Sequence, residues 1–145
     1  MIKLEFETTI KKPVEEVFAF LANPENETKW QPDLLSAKLT SNGPVGVGAE
    51  GCDVRKFMGK ETVTTWRVTE FVPNRKMTFK VIAGPMPFQG TYDFKSANGG
   101  TKLIYRVQAE TSGASKLLEP LVSRMVKGQG EKQMTALKQA LETDA

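Results

Sequence analysis

From Asp33 to about Thr111 the chain is cut by turn residues into short stretches, and two of these turns dictate how the stretches must face. The turn signals are Asn42-Gly43-Pro44, Gly59, Pro73-Asn74, Gly84-Pro85-Met86-Pro87 and Asn98-Gly99-Gly100. Between them lie candidate strands over roughly 33–40, 49–57, 61–72, 75–82, 88–96 and 101–111. A two-residue loop at Pro73-Asn74 sets Val72 opposite Arg75, Glu70 opposite Met77, Val68 opposite Phe79 and Trp66 opposite Val81. The other face then carries Arg67 opposite Lys80 and Thr69 opposite Thr78. A loop at Asn98-Gly99 sets Phe94 beside Leu103, Tyr92 beside Tyr105, Gly90 beside Val107 and Phe88 beside Ala109. Two hairpins thus independently predict an antiparallel sheet with one apolar and one solvated face, and the apolar face needs a cover.

The apolar segment long enough to cover it is C-terminal. From about Ser115 to Glu142, the residues Leu118, Leu121, Val122, Met125, Val126, Met134, Leu137 and Leu141 recur at helical spacing, interrupted by Gly128 and Gly130. This predicts one long amphipathic helix with a bend allowed at the glycines. At the other end, Ile2, Leu4, Phe6, Thr8 and Ile10 alternate with polar residues as a half-buried strand does. Pro13 suits the first turn of a helix whose apolar face is Val14, Val17, Phe18 and Leu21, and Asn23-Pro24 ends it. Residues 24–30 form a second short helix before Pro32. A twisted sheet curves, and one helix does not fill the concavity, particularly where Gly128 and Gly130 remove side-chain volume. The segment 13–30, with Phe18, Phe20 and Trp30, then plugs one end of the half-barrel. The expected class is α+β.

With 145 residues, 39% of them hydrophobic and 26% charged, the chain suits one domain over residues 1–145 and is too balanced to be disordered. The N-terminus lacks the uninterrupted apolar run of a signal peptide and no stretch approaches the ~20 residues of a membrane span, so a cytoplasmic protein is expected, with at most transient membrane contact. The single cysteine, Cys52, excludes an internal disulfide. The absence of histidine removes the commonest metal ligand and general base, so neither a metal site nor Ser-His chemistry is expected. The net charge of +3 is scattered along the chain without a basic block, which argues against nucleic acid as a partner.

The order strand, two short helices, six strands, long helix resembles the helix-grip fold of the START/Bet v 1-like (SRPBCC) superfamily, in particular its bacterial polyketide cyclase/dehydrase and lipid-transport branch. The likeness is carried by "IKKPVEEVFAFLANPENETKWQP" (10–32), "GPVGVGAEG" (43–51), "WRVTEFVPNRKMTFKV" (66–81), "GTYDF" (90–94), "GGTKLIYRV" (99–107) and "ALKQALE" (136–142), spanning nearly the whole chain. The resemblance implies a curved seven-stranded antiparallel sheet wrapped around a long C-terminal helix. It also implies a ligand such as a lipid, sterol, quinone or polyketide, which some members cyclise or dehydrate.

Candidate ligand-lining residues are Phe20, Trp30, Trp66, Val68, Phe79, Phe88, Tyr92, Tyr105 and Met125; each has core packing as its competing role. Tyr92 and Tyr105, paired across neighbouring strands, carry hydroxyls that need partners if buried. Asp53 and Arg55 share the face of Trp66 if the loop near Gly59 has two residues, whereas Cys52 and Val54 do so if it has three. The cost of burying charge favours the outward arrangement. Glu70 falls on the apolar face at a strand end, where pairing with Arg75 competes with a role as a general acid. Cys52 reads as a small core residue, and the 84–87 turn as a rigid connection or a gate. "VGVG" (45–48) precedes a strand and so lacks the context of a phosphate loop.

The expected function is binding, and carriage, of a hydrophobic or amphipathic small molecule between sheet and helix, without a cofactor and with no residue assigned to catalysis. The alternatives are a cyclase/aromatase-type enzyme that folds its substrate and assists by acid/base chemistry, and an interaction module, which needs an exposed apolar patch. A monomer or a homodimer fits either leading reading.

Overall fold

The computed structural model describes residues 1–31, 33–57, 59–84, 87–110 and 114–143. Seven strands, β1 (Ile2–Ile10), β2 (Leu34–Leu39), β3 (Glu50–Phe57), β4 (Lys60–Val72), β5 (Lys76–Ala83), β6 (Phe88–Ala97) and β7 (Gly100–Ala109), form one antiparallel sheet in the order β1-β7-β6-β5-β4-β3-β2. The helices are α1 (Val14–Ala22), a 3-10 helix (Pro24–Lys29), α2 (Ala114–Leu117) and α3 (Glu119–Thr143).

β1 and β2 are consecutive strands of the chain but lie at opposite edges of the sheet, so the segment joining them must cross its width. α1 and the Pro24–Lys29 helix make that crossing. α1 buries Val14, Val17, Phe18 and Leu21, and the Phe18 ring meets Phe71 and Phe94 edge-on, each at 5.1 Å between centroids. The Pro24–Lys29 helix, capped by the Asn23 side chain, packs on β2 and closes that end of the curve.

The β6/β7 hairpin has the expected register throughout, from Ala97 opposite Gly100 to Phe88 opposite Ala109. Asn98 and Gly99 both have positive φ, 52° and 80°, which is the backbone of a two-residue turn whose twist matches the strands. The β4/β5 hairpin differs. Val72 pairs with Lys76, leaving a three-residue loop with Asn74 at φ 63°, and a bulge lies between Val68 and Glu70. The longer loop and the extra residue in β4 offset one another, so Trp66 still faces Val81, Arg67 faces Lys80 and Val68 faces Phe79. Nearer the turn the offset is not cancelled. Glu70 sits opposite Thr78 rather than Met77, on the outer face, where it accepts from Thr78 Oγ1 at 3.3 Å and pairs with Lys76 at 3.3 Å, not with Arg75. Phe71 takes the inward place opposite Met77.

The C-terminal segment is two helices rather than one. The interruption falls before Pro120, whose missing N–H is tolerated in a first turn, while Gly128 and Gly130 remain helical. Only the C-terminal half of α3 fills the grip, burying Gly130, Met134, Leu137 and Leu141. At Gly130 a Cβ would lie 2.3 Å from the Phe6 ring, so the glycine lets α3 approach β1 closely. That end is pinned where the Lys11 amide donates to Glu142 at 2.9 Å and Lys138 donates to the Thr9 carbonyl. At its N-terminus Glu119 pairs with the Met1 amino group at 3.1 Å, beside the start of β1, while Leu118 and Leu121, expected to cover the sheet, are 55% and 57% exposed. Among the described residues no helix is long and apolar enough to cross a membrane.

Candidate functional site

The space left between the inner face of the sheet, the Pro24–Lys29 helix and the middle of α3 is a cavity of about 250 Å³. Trp30, Trp66, Val68, Phe79, Phe88, Tyr92, Tyr105 and Met125 all line it. Met125 stands at the mouth, about half exposed. Phe20 does not line the cavity. It lies off the inward stripe of α1, half-buried, with Lys29 Nζ 5.9 Å from its ring centroid, because two residues of helix turn a side chain well away from Phe18. The Tyr92 and Tyr105 rings stack at 4.4 Å, and Phe6 lies over Tyr105 at 6.1 Å. Burial pushes both phenols upward, so they stay protonated.

One end of this aromatic chamber is polar, and its position follows from the loop before Lys60. Phe57 pairs with Lys60, so the connection is two residues long and Asp53 and Arg55 turn inward with Trp66. This is the arrangement that the cost of burying charge disfavoured, and the structure shows what compensates it. The indole N–H of Trp66 donates to Asp53 Oδ1 at 2.9 Å, Arg55 Nη2 lies 3.4 Å from Asp53 Oδ2, and the same nitrogen donates to Gln31 Oε1 at 3.0 Å. Trp66 reaches Asp53 because Gly51, directly opposite it, has no side chain. Cys52 accordingly faces away from the Trp66 side and is half-buried, not core.

The same end holds a second carboxyl that the sequence did not single out. Glu27 projects from the Pro24–Lys29 helix, where residues three apart eclipse one another, so Pro24, Glu27 and Trp30 present one face and all three line the cavity. Burial, and then the charge of Asp53, push the Glu27 carboxyl up to about 8, against the opposing pull of Arg55. Asp53 is also raised by burial, opposed by its bonds from Trp66 and Arg55. The indole N–H of Trp30, a residue only 3% exposed, is buried with no acceptor. Thr62, Thr64 and Gln31 complete the polar wall. The period of three across 24–30 is the signal that could have found Glu27.

Glu70, on the outer face, is remote from this space and cannot serve it as a general acid. The 84–87 turn, read as a gate or a rigid connection, lies partly outside the described residues. No three His, Cys, Asp or Glu side chains converge as a metal cage among the described residues.

A seven-stranded curved sheet gripping a C-terminal helix, with a lined cavity between them, defines a helix-grip protein. The chain belongs to the family described as polyketide cyclase / dehydrase and lipid transport, which matches residues 1–142. Its fold is shared with TTHA0849 from Thermus thermophilus (TM-score 0.84, 18% identity, 99% of each chain covered). It is also shared with a START superfamily protein from Mycobacterium smegmatis (TM-score 0.83, 13% identity, 100% of each chain). A third likeness is to the di-domain ARO/CYC protein BexL of the BE-7585A biosynthetic pathway (TM-score 0.82, 18% identity), where 98% of this chain covers 47% of the other. No curated protein matches the chain at a significant level.

Proposed function

We propose that the protein binds an amphipathic small molecule, with its apolar body in the aromatic chamber and its polar end against Glu27, Gln31, Asp53 and Arg55. The observation that carries this reading is the cavity itself: about 250 Å³ of space walled by large apolar side chains, with a compact polar cluster at one end. Burial of apolar ligand surface, at ~25 cal/mol per Å², supplies the driving force, and the cluster orients the guest. Family membership supports a hydrophobic small molecule as the ligand class. Native mass spectrometry of the purified protein, followed by solvent extraction, tests the reading. A bound small molecule released on denaturation supports it; a protein that is empty and fails to take up naphthalene counts against it.

A second reading, an enzyme of the cyclase kind named in the likeness to BexL, is favoured by the convergence of Glu27, Asp53 and Arg55 in the chamber. A carboxyl titrating near 8 is suited to exchanging a proton near neutral pH. Incubation with a linear poly-β-ketone tests it: cyclised product formed faster than in buffer, and lost in Glu27→Gln, supports catalysis, whereas unchanged substrate supports simple carriage.

A further inference from the structure

We propose that Glu27 sets the charge of the head group the cavity accepts: an uncharged oxygen acceptor while its carboxyl is protonated, a cation once it is ionised, and a carboxylate in neither state. This rests on the reading of the cavity as a ligand site and goes beyond it by naming the head.

The titratable groups that face the space come from four elements. β3 contributes Asp53 and Arg55, β6 contributes Tyr92, β7 contributes Tyr105, and the Pro24–Lys29 helix contributes Glu27. The cavity-lining residues of α1, β1, β4, β5 and α3 carry no charge; those of α3 include Gln129 and Gln133. Glu25 and Lys29, on the same helix as Glu27, are exposed to solvent. The site therefore holds two carboxyls and one guanidinium, with two phenols that stay neutral.

The guanidinium is already matched. Arg55 lies against Asp53, and Asp53 is further held by the Trp66 indole. Glu27 is the carboxyl left over, and in a water-poor chamber the cheapest way to remove an unmatched negative charge is to keep the proton. With Glu27 protonated the site is neutral and offers the Glu27 O–H as a donor from the cavity wall. A carbonyl, amide or quinone oxygen accepts from such a donor. A carboxylate head would add an unmatched anion beside the Asp53–Arg55 pair, and ionised Glu27 would repel it further. A cationic head has the opposite effect, replacing the Glu27 proton as the balancing charge.

Probes that share one ring system and differ only in the head separate these cases: naphthalene, naphthamide, naphthoate and naphthylmethyl-trimethylammonium, titrated by calorimetry at about pH 6 and about pH 9. At the lower pH naphthamide is expected to bind at least about tenfold tighter than naphthoate. Naphthamide is expected to weaken about tenfold at the higher pH, because the protonated form falls to roughly a tenth of the population. The fixed cation should strengthen over the same interval, and its binding near neutral pH should release a proton, seen as heats that depend on the ionisation enthalpy of the buffer. Glu27→Gln should hold naphthamide equally at both pH values and lose the gain for the cation. Naphthoate binding as tightly as naphthamide in the wild-type protein, or a Glu27→Gln variant that keeps the wild-type pH dependence, overturns the proposal while leaving the cavity reading intact. Failure of naphthalene and all three derivatives to bind overturns both. The wild-type comparison of heads decides the matter even if the variant does not fold.

Discussion

The indole N–H of Trp66 donates to Asp53 Oδ1 at 2.9 Å by lying across Gly51, where an added Cβ would fall 2.1 Å from the ring. A glycine, an indole and a carboxylate on two adjacent strands thereby make an inward-facing charge tolerable. Gly51→Ala cannot keep this arrangement and is expected to destabilise the fold by about 3 kcal/mol. Trp66→Phe keeps an aromatic ring but strips Asp53 of a donor, for a loss of about 1–3 kcal/mol. Urea unfolding measures both; a Gly51→Ala protein as stable as wild type would show that the indole is not seated there.

The raised pKa of Glu27 has a consequence for stability with a definite sign. Between about pH 4.5, where the group titrates in the unfolded chain, and about pH 8, where it titrates in the fold, the native state holds a proton that the unfolded state has lost. Stability therefore falls as pH rises through that window, by at most about 1.4 kcal/mol per unit from this group. Asp53, also raised, adds a contribution of the same sign beginning at lower pH. Denaturant melts across the window should show the decline in the ligand-free protein, and Glu27→Gln should flatten it and raise the melting temperature near pH 8. A stability that climbs with pH there would contradict the assignment.

Val68 lines the chamber beside Trp66 and Phe79 and is 3% exposed. Val68→Phe places a ring where a guest would lie. The expected result is loss of naphthalene binding with a stability change of no more than about 1–3 kcal/mol, the range for added volume next to an existing void. Retained affinity would mean that guests bind elsewhere.

Two glycines of α3 should respond in opposite directions. A Cβ at Gly128 meets nothing within 4 Å, so Gly128→Ala should stabilise by about 0.5–1 kcal/mol through the backbone entropy of the unfolded chain. A Cβ at Gly130 would lie 2.3 Å from the Phe6 ring, which is itself stacked on Tyr105, so Gly130→Ala should destabilise. Thermal unfolding of the two variants side by side checks this, and equal shifts would place α3 farther from β1.

The register of β6 on β7 was legible from sequence because Asn98-Gly99 is a local instruction: both residues accept positive φ, and the turn alone aligns every pair behind it. β4 on β5 was legible only in part. A third loop residue and a bulge shifted the register in opposite senses, so the pairs at Trp66, Arg67 and Val68 came out as expected while Glu70 and Phe71 exchanged faces. No local pattern announces a bulge whose effect is cancelled a few residues away. Pro120 marks the break between α2 and α3, but the apolar periodicity continues on either side of it and reads as one helix.

What the amino-acid sequence determined by itself was the architecture and the greasy lining, because alternation in strands and spacing in helices are set by backbone geometry over a few residues. Of the nine residues named from the sequence, eight line the cavity and Phe20 does not. The polar end was decided only in three dimensions. Glu27 and Asp53 are far apart in the chain and meet because the crossing from β1 to β2 must span the whole sheet. Whether charge can be buried there depends on Trp66, Gly51, Gln31 and Arg55 acting together. Burial energetics are a property of the surroundings, and no single stretch of sequence contains its own surroundings.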